Sequence, residues 1–76
     1  MNRERRKKLQ DAAKRIGHIV ELIEEIRDEE QDAHDNLPES MIDGERGERM
    51  EEAIDHLEDA IADLESAVEN IESAAE

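Results

Sequence analysis

From Ala53 the chain repeats one seven-residue phrase: Ala53-Ile-Asp-His-Leu-Glu-Asp, Ala60-Ile-Ala-Asp-Leu-Glu-Ser, Ala67-Val-Glu-Asn-Ile-Glu-Ser, then Ala74-Ala75. A heptad with two large apolar residues and one alanine calls for a helix lying against other helices, because a helix returns nearly the same face every seven residues. Met50, Leu57, Leu64 and Ile71 form one row, and Ile54, Ile61, Val68 and Ala75 the other. A flanking row of Ala53, Ala60, Ala67 and Ala74 lets another backbone come close. The pattern predicts a helix over about 45–75.

A first helix is predicted over about 3–35. Leu9, Ile16, Ile23 and Glu30 form one row of its seam, and Ala12, Ile19, Ile26 and Ala33 the other. Val20, with Ala13 beside it, and Leu22 flank this seam on opposite sides, so the apolar face is wider than one partner helix needs. Gly17 in mid-helix loses about 1 kcal/mol against alanine, and close approach of a neighbouring helix is its expected compensation. Pro38 disfavours helical backbone at Leu37, which ends the helix near Asn36. The segment 36–44 then reads as a turn. Asp43 or Gly44 caps the second helix, with Glu45 and Glu48 favourable in its first turn. Leu37, Met41 and Ile42 are expected to close the end of the core.

The fold class is therefore all-α: residues 1–76 as one antiparallel, coiled-coil-like hairpin of two helices. Aligning its ends pairs Ala33 with Met50, Ile26 with Leu57, Ile23 with Ile61, Ile19 with Leu64, Ile16 with Val68, Ala12 with Ile71 and Leu9 with Ala75. Such a pair leaves Val20 and Leu22 wet. Two hairpins are expected to dimerise into a four-helix bundle, with Val20, Leu22, Ala53, Ala60 and Ala67 at the interface. Parallel pairing of extended helices is the alternative if Pro38 and Gly44 do not close the turn.

The chain has 76 residues and no Phe, Tyr or Trp, so a single hairpin has little with which to build a core. With no cysteine, disulfides and thiolate metal sites are excluded. No apolar run approaches the ~18 residues of a membrane span, and the charged N-terminus does not read as a signal peptide. The cytoplasm is the expected location, without membrane contact.

The net charge is −14 and unevenly spread. Residues 1–15 carry seven bases and two acids, a net of +5; the other 61 carry three bases and 22 acids, a net of −19. The basic turns from Arg3 to Lys8 lack the interleaved aromatics that stack on bases, and the acidic body repels a duplex. Direct nucleic-acid binding is not expected. Pairing with Asp63, Glu65, Glu69, Glu72 and Glu76 on the neighbouring helix is.

No spacing carries catalysis. His18, His34 and His56 lack metal-ligand spacing and are read as surface residues. Inward-facing Glu-x-x-His motifs of di-iron bundles are absent, the residues three before the histidines being Arg15, Gln31 and Ala53. Glu21-Leu-Ile-Glu24 and Glu52-Ala-Ile-Asp55 resemble the magnesium-binding pairs of all-α nucleotide pyrophosphatases. Those carboxylates must converge inside a bundle, where this chain places Ile19, Ile23, Ile26, Ile54 and Leu57. A calcium loop starting at Asp32 or Asp43 fails at its sixth position, which holds Leu37 or Glu48 instead of glycine. Glu30, the one charge in a seam row, is expected near the turn, within reach of water, Arg27 or Arg49. No catalytic residue, cofactor or metal is assigned.

The acidic surface is the remaining candidate. A hairpin roughly 45 Å long at ~1.5 Å per residue carries about one charge per 3 Å, against one per ~1.7 Å along duplex DNA. A dimer approaches the density of DNA. A merely solubilising surface, or adaptation to salt, gives the same composition. The carboxylates expected to meet a partner are Glu24, Asp28, Asp55, Asp59 and Asp63.

The stretch Asp35-Asn-Leu-Pro-Glu-Ser40, followed by Glu45-Arg-Gly-Glu-Arg-Met-Glu-Glu-Ala-Ile-Asp55, resembles a family of small acidic helical-hairpin proteins of Firmicutes and their phages and prophages. The resemblance spans about residues 28–72. It implies a mobile-element origin and assigns no residue a role. Small acidic phage proteins often bind and disable a host protein, nucleases and defence systems among them. The leading expectation is thus a non-enzymatic, dimeric protein-binding module, in its most concrete form an inhibitor that offers a DNA-like surface to a basic, nucleic-acid-binding host protein. The alternative is an assembly scaffold whose Val20 and Leu22 meet a partner helix.

Overall fold

The computed structural model describes all 76 residues and contains three helices. Helix α1 runs Arg3–Asp35, α2 is the short Glu39–Ile42, and α3 runs Glu45–Ala74. The two long helices pack along one another as a hairpin measuring 59 × 15 × 11 Å. Its radius of gyration is 17.3 Å, against about 11 Å for a compact chain of this length.

Both long helices start and stop for local reasons. The Asn2 side chain accepts a 2.8 Å hydrogen bond from the Arg5 N–H, satisfying one of the free donors at the start of α1. Asn36 closes α1, and its N–H donates to the Asp32 carbonyl. The segment expected to be a plain turn contains α2, which starts after Pro38, where the fixed φ of −58° already suits a helix entry. Asp43 ends α2 and Gly44 precedes α3 without any side-chain cap.

Gly47 is the position where this turn demands glycine. It is buried, and a Cβ there would run into the Ile42 carbonyl oxygen. Gly17, where close approach was expected, has nothing within 4 Å of a notional Cβ. The tight backbone crossing lies at the turn, not between the long helices.

The seam of α3 is the expected one. Ile54 and Ile61 are buried, Ala75 is buried at the open end, and Met50, Leu57, Leu64, Val68 and Ile71 are half-buried. The seam of α1 keeps the row Leu9, Ile16, Ile23 and Glu30, all half-buried. Its second row is Arg6, Ala13, Val20, Arg27 and His34 instead of Ala12, Ile19, Ile26 and Ala33. Ala13 and Val20 are buried; Ile19 and Ile26 are 50% and 44% exposed. The helix is thus turned by about 50°, half the ~100° between successive residues, from the expected orientation.

The axial register is close to that expected. His34 meets Glu51 across the helices, and Gly17 and Val20 lie level with Glu65 and Val68. Val20, expected to stay wet, is only 8% exposed, so it is a core residue of the hairpin and not part of an outer interface. Leu22 is 54% exposed, as expected.

Candidate functional site: the two sides of the hairpin

Turning α1 gives the hairpin two unlike sides. In an antiparallel pair the rows flanking the seam meet their counterparts on the partner helix, one set on each side. On one side lie Ile19 and Ile26 of α1 and the alanine row of α3. Ala53, Ala60 and Ala67 are half-buried there, and Leu22 extends this side outward. On the other side lie Gly17, Glu24 and Gln31 of α1, with Glu51, Glu58, Glu65 and Glu72 of α3.

The acidic side contains the one concavity of the molecule. It is an open groove of about 470 Å³ lined by Gly17, Val20, Glu21, Glu24, Glu65, Val68 and Glu69. Gly17, with no side chain, lines one edge of it and leaves that edge open. Four carboxylates surround an apolar floor made by Val20 and Val68. The signal in sequence is the phase of these glutamates relative to Val20, which becomes readable only once Val20 is placed inside.

Of the residues expected to meet a partner, Glu24 is half-buried at this groove, while Asp28, Asp55, Asp59 and Asp63 are exposed. They do not form one patch. Asp28 and Asp55 extend the acidic side toward the turn. Asp59 lies on the back of α3, and Asp63 shares a helical row with His56, toward the apolar side. Asp28 is also held by Arg27, whose Nη2 and Nε approach it at 3.1 and 3.2 Å.

Cations neutralise little of this charge. Only six of the 24 carboxylates lie within ion-pair distance of a basic side chain: those of Glu4, Asp11, Asp28, Asp35, Glu45 and Glu51. The expected pairing of the basic N-terminal turns with the acidic end of α3 is not made. Lys8 pairs with Glu4 at 3.8 Å and Arg15 with Asp11 at 3.1 Å, both one turn away on α1, and Arg6 donates to the Met1 carbonyl at 2.8 Å. Pairs within one helix need no second chain segment to be ordered, which favours them over equally exposed pairs between helices.

His34 departs from the surface position expected of it. Its side chain is 12% exposed, its Nε2 lies 3.1 Å from Glu51 and its Nδ1 3.5 Å from Asp35. It closes the polar end of the α1 seam, where Arg27 and Glu30 are also half-buried. His18 and His56 are exposed. No three His, Asp or Glu side chains converge in an arrangement able to hold a metal ion, and no helix is long and apolar enough to cross a membrane. No family model, curated protein or solved structure matches the chain.

Proposed function

We propose that this chain is a non-enzymatic protein-binding module that works as a homodimer, two hairpins forming a four-helix bundle. It offers its acidic side to a basic, nucleic-acid-binding host protein, as a phage-type inhibitor that stands in for DNA. The observation carrying this reading is the separation of the two sides: eighteen carboxylates without a cation partner, and an apolar side set apart from the groove. The net charge of −14 along 59 Å is about one charge per 4 Å. Two rods side by side double that density and approach the spacing of phosphate charge along a duplex, one per ~1.7 Å.

Carboxylates on a rigid helix pair act without reorganising, and partner arginines and lysines that donate to phosphate oxygens can donate to carboxylate oxygens too. Glu21, Glu24, Glu65 and Glu69 ring the groove, with Asp28 and Asp55 further along the same side. The test is capture of proteins from a bacterial lysate at low and high salt, with duplex DNA as competitor. Under this reading a DNA-binding protein is retained, and it elutes with salt or with DNA. Changing Glu24, Asp28 and Asp55 together to their amides then weakens capture while helicity stays unchanged. Equal capture by the neutralised variant would sink the idea.

The second reading is an assembly scaffold that takes a partner helix on its apolar side. Exposure of Ile19, Leu22 and Ile26 favours it. Under that reading Leu22→Asp abolishes binding and raised salt does not.

A further inference from the structure

The geometry points to a second copy of this chain as the occupant of the apolar side, docked antiparallel so that the turn of each hairpin lies beside the open end of the other. This rests on the reading that the chain self-associates, and it adds the face, the direction and the residues at the axis.

The first observation is surface area. The hairpin exposes 5902 Å², whereas a compact protein of 8.7 kDa exposes about 4,700 Å². The excess, about 1,200 Å², is of the size that one partner contributes to a stable interface, ~800 Å² or more. Three of the five exposed large apolar residues, Ile19, Leu22 and Ile26, gather on one side, beside Ala53, Ala60 and Ala67; Met1 and Met41 lie at the two ends.

The second observation is self-complementarity. A two-fold interface sets each residue opposite one equally far from the axis on the other copy. Leu22 lies midway between Ile19 and Ile26 on α1, and Ala60 and Ala67 lie one heptad apart on α3. A two-fold crossing the hairpin at Leu22 sets Leu22 against its own copy and Ile19 against Ile26 of the other. The same axis crosses α3 near Asp63, which is level with Leu22, so Ala60 of each copy comes beside Ala67 of the other. Large residues meet on α1 and small ones on α3, so the α3 backbones come closer than the α1 backbones.

The third observation is charge. Arg15 and Glu29 lie seven residues before and after Leu22, on the same helical row. The antiparallel axis therefore sets Arg15 of each copy beside Glu29 of the other. Arg15 is exposed and held only by Asp11 of its own helix, so it is available. The ends agree. Residues 26–50 at the turn carry nine acids and three bases, a net of −6; the open end, 1–15 with 62–76, carries seven of each and is neutral. Antiparallel docking places each −6 end beside a neutral one. A two-fold along the hairpin would put −6 against −6 and set α1 against α3, with Leu22 near Asp63.

The chain has no cysteine, which allows a direct test. Sedimentation equilibrium is expected to give twice 8.7 kDa. A Leu22→Cys chain is expected to oxidise to a disulfide-linked dimer, while Ser66→Cys, on the outward row of α3, forms no cross-link under the same conditions. Leu22→Glu is expected to raise the dimer dissociation constant at least about 100-fold, because the axis counts the change twice. Since a separated hairpin has a thin core, a surface variant completes the test. Arg15→Glu and Glu29→Arg should each weaken the dimer, and the double reversal should restore it.

A monomer at all concentrations overturns the proposal, as does a dimer in which Leu22→Cys does not cross-link or the double reversal restores nothing. A dimer that cross-links but captures no basic protein defeats only the functional reading. A monomer that captures one defeats this proposal and the dimeric part of the functional reading, and leaves the acidic side as the binding surface.

Discussion

The two long helices carry apolar rows of similar length, yet only one of them announces its inner face. On α3 the large residues occupy two rows and alanine the third, so burial follows residue size: Ile54 and Ile61 inside, Ala53 and Ala60 at the margin. On α1 three rows are apolar over their middle turns, and the structure buries the row with Arg27 and His34 at one end in preference to the fully apolar one. Arg27 keeps its stem half-buried while its head reaches Asp28, and His34 reaches Glu51. Long amphipathic side chains fill a seam while their heads stay at water. The lesson is that the inner face of a helix with a wide apolar arc is chosen by which rows its ends can satisfy, and the row left over becomes a surface.

The largest effect that would break this comparison is expected at the centre of α3. Ile61→Ala removes a side chain that is 6% exposed and should destabilise the chain by ~3 kcal/mol, read by urea unfolding followed by circular dichroism. A change below about 1 kcal/mol would mean that the α3 seam is not the core. Next comes the turn. Gly47→Ala sets a methyl group against the Ile42 carbonyl and should lose ~2 kcal/mol, with α2 the first element to become labile in hydrogen exchange.

The sharpest test of the rotation of α1 compares neighbours. At protein concentrations low enough to hold the hairpin as a monomer, Val20→Ala should lose ~1.5 kcal/mol and Ile19→Ala less than about 0.5. The reverse order would restore the orientation that the apolar pattern alone suggests. The smallest effect has the opposite sign. Gly17→Ala meets no neighbour and should stabilise α1 by up to ~1 kcal/mol, seen as a higher urea midpoint. Its methyl would also shrink the acidic groove, so the variant reports on partner binding there.

Much of the fold was legible in the chain. Pro38, the heptads from Ala53 and the apolar run from Leu9 to Ile26 placed both long helices, their ends and the axial register, because these depend on backbone sterics and on periods that repeat along the sequence. Leu22 was readable as an exposed residue for the same reason. The groove was not legible. Glu21, Glu24, Glu65 and Glu69 are four acids among 24, and nothing local distinguishes them until Val20 and Val68 are known to lie beneath them.

The residues by themselves determined two antiparallel helices, a tight turn, an acidic body and too little core for one hairpin. Only the tertiary structure decided which arc of α1 faces α3. With it came the exchange of Val20 for Ile19 and Ile26 on the outer surface, the move of the close backbone crossing from Gly17 to Gly47, and the division of acidic from apolar side. The physical reason is that heptad spacing fixes where a helix repeats but not its rotation when three rows compete. That rotation is set by contacts distant in sequence, such as His34 with Glu51 and Val20 beside Val68, which no local period encodes.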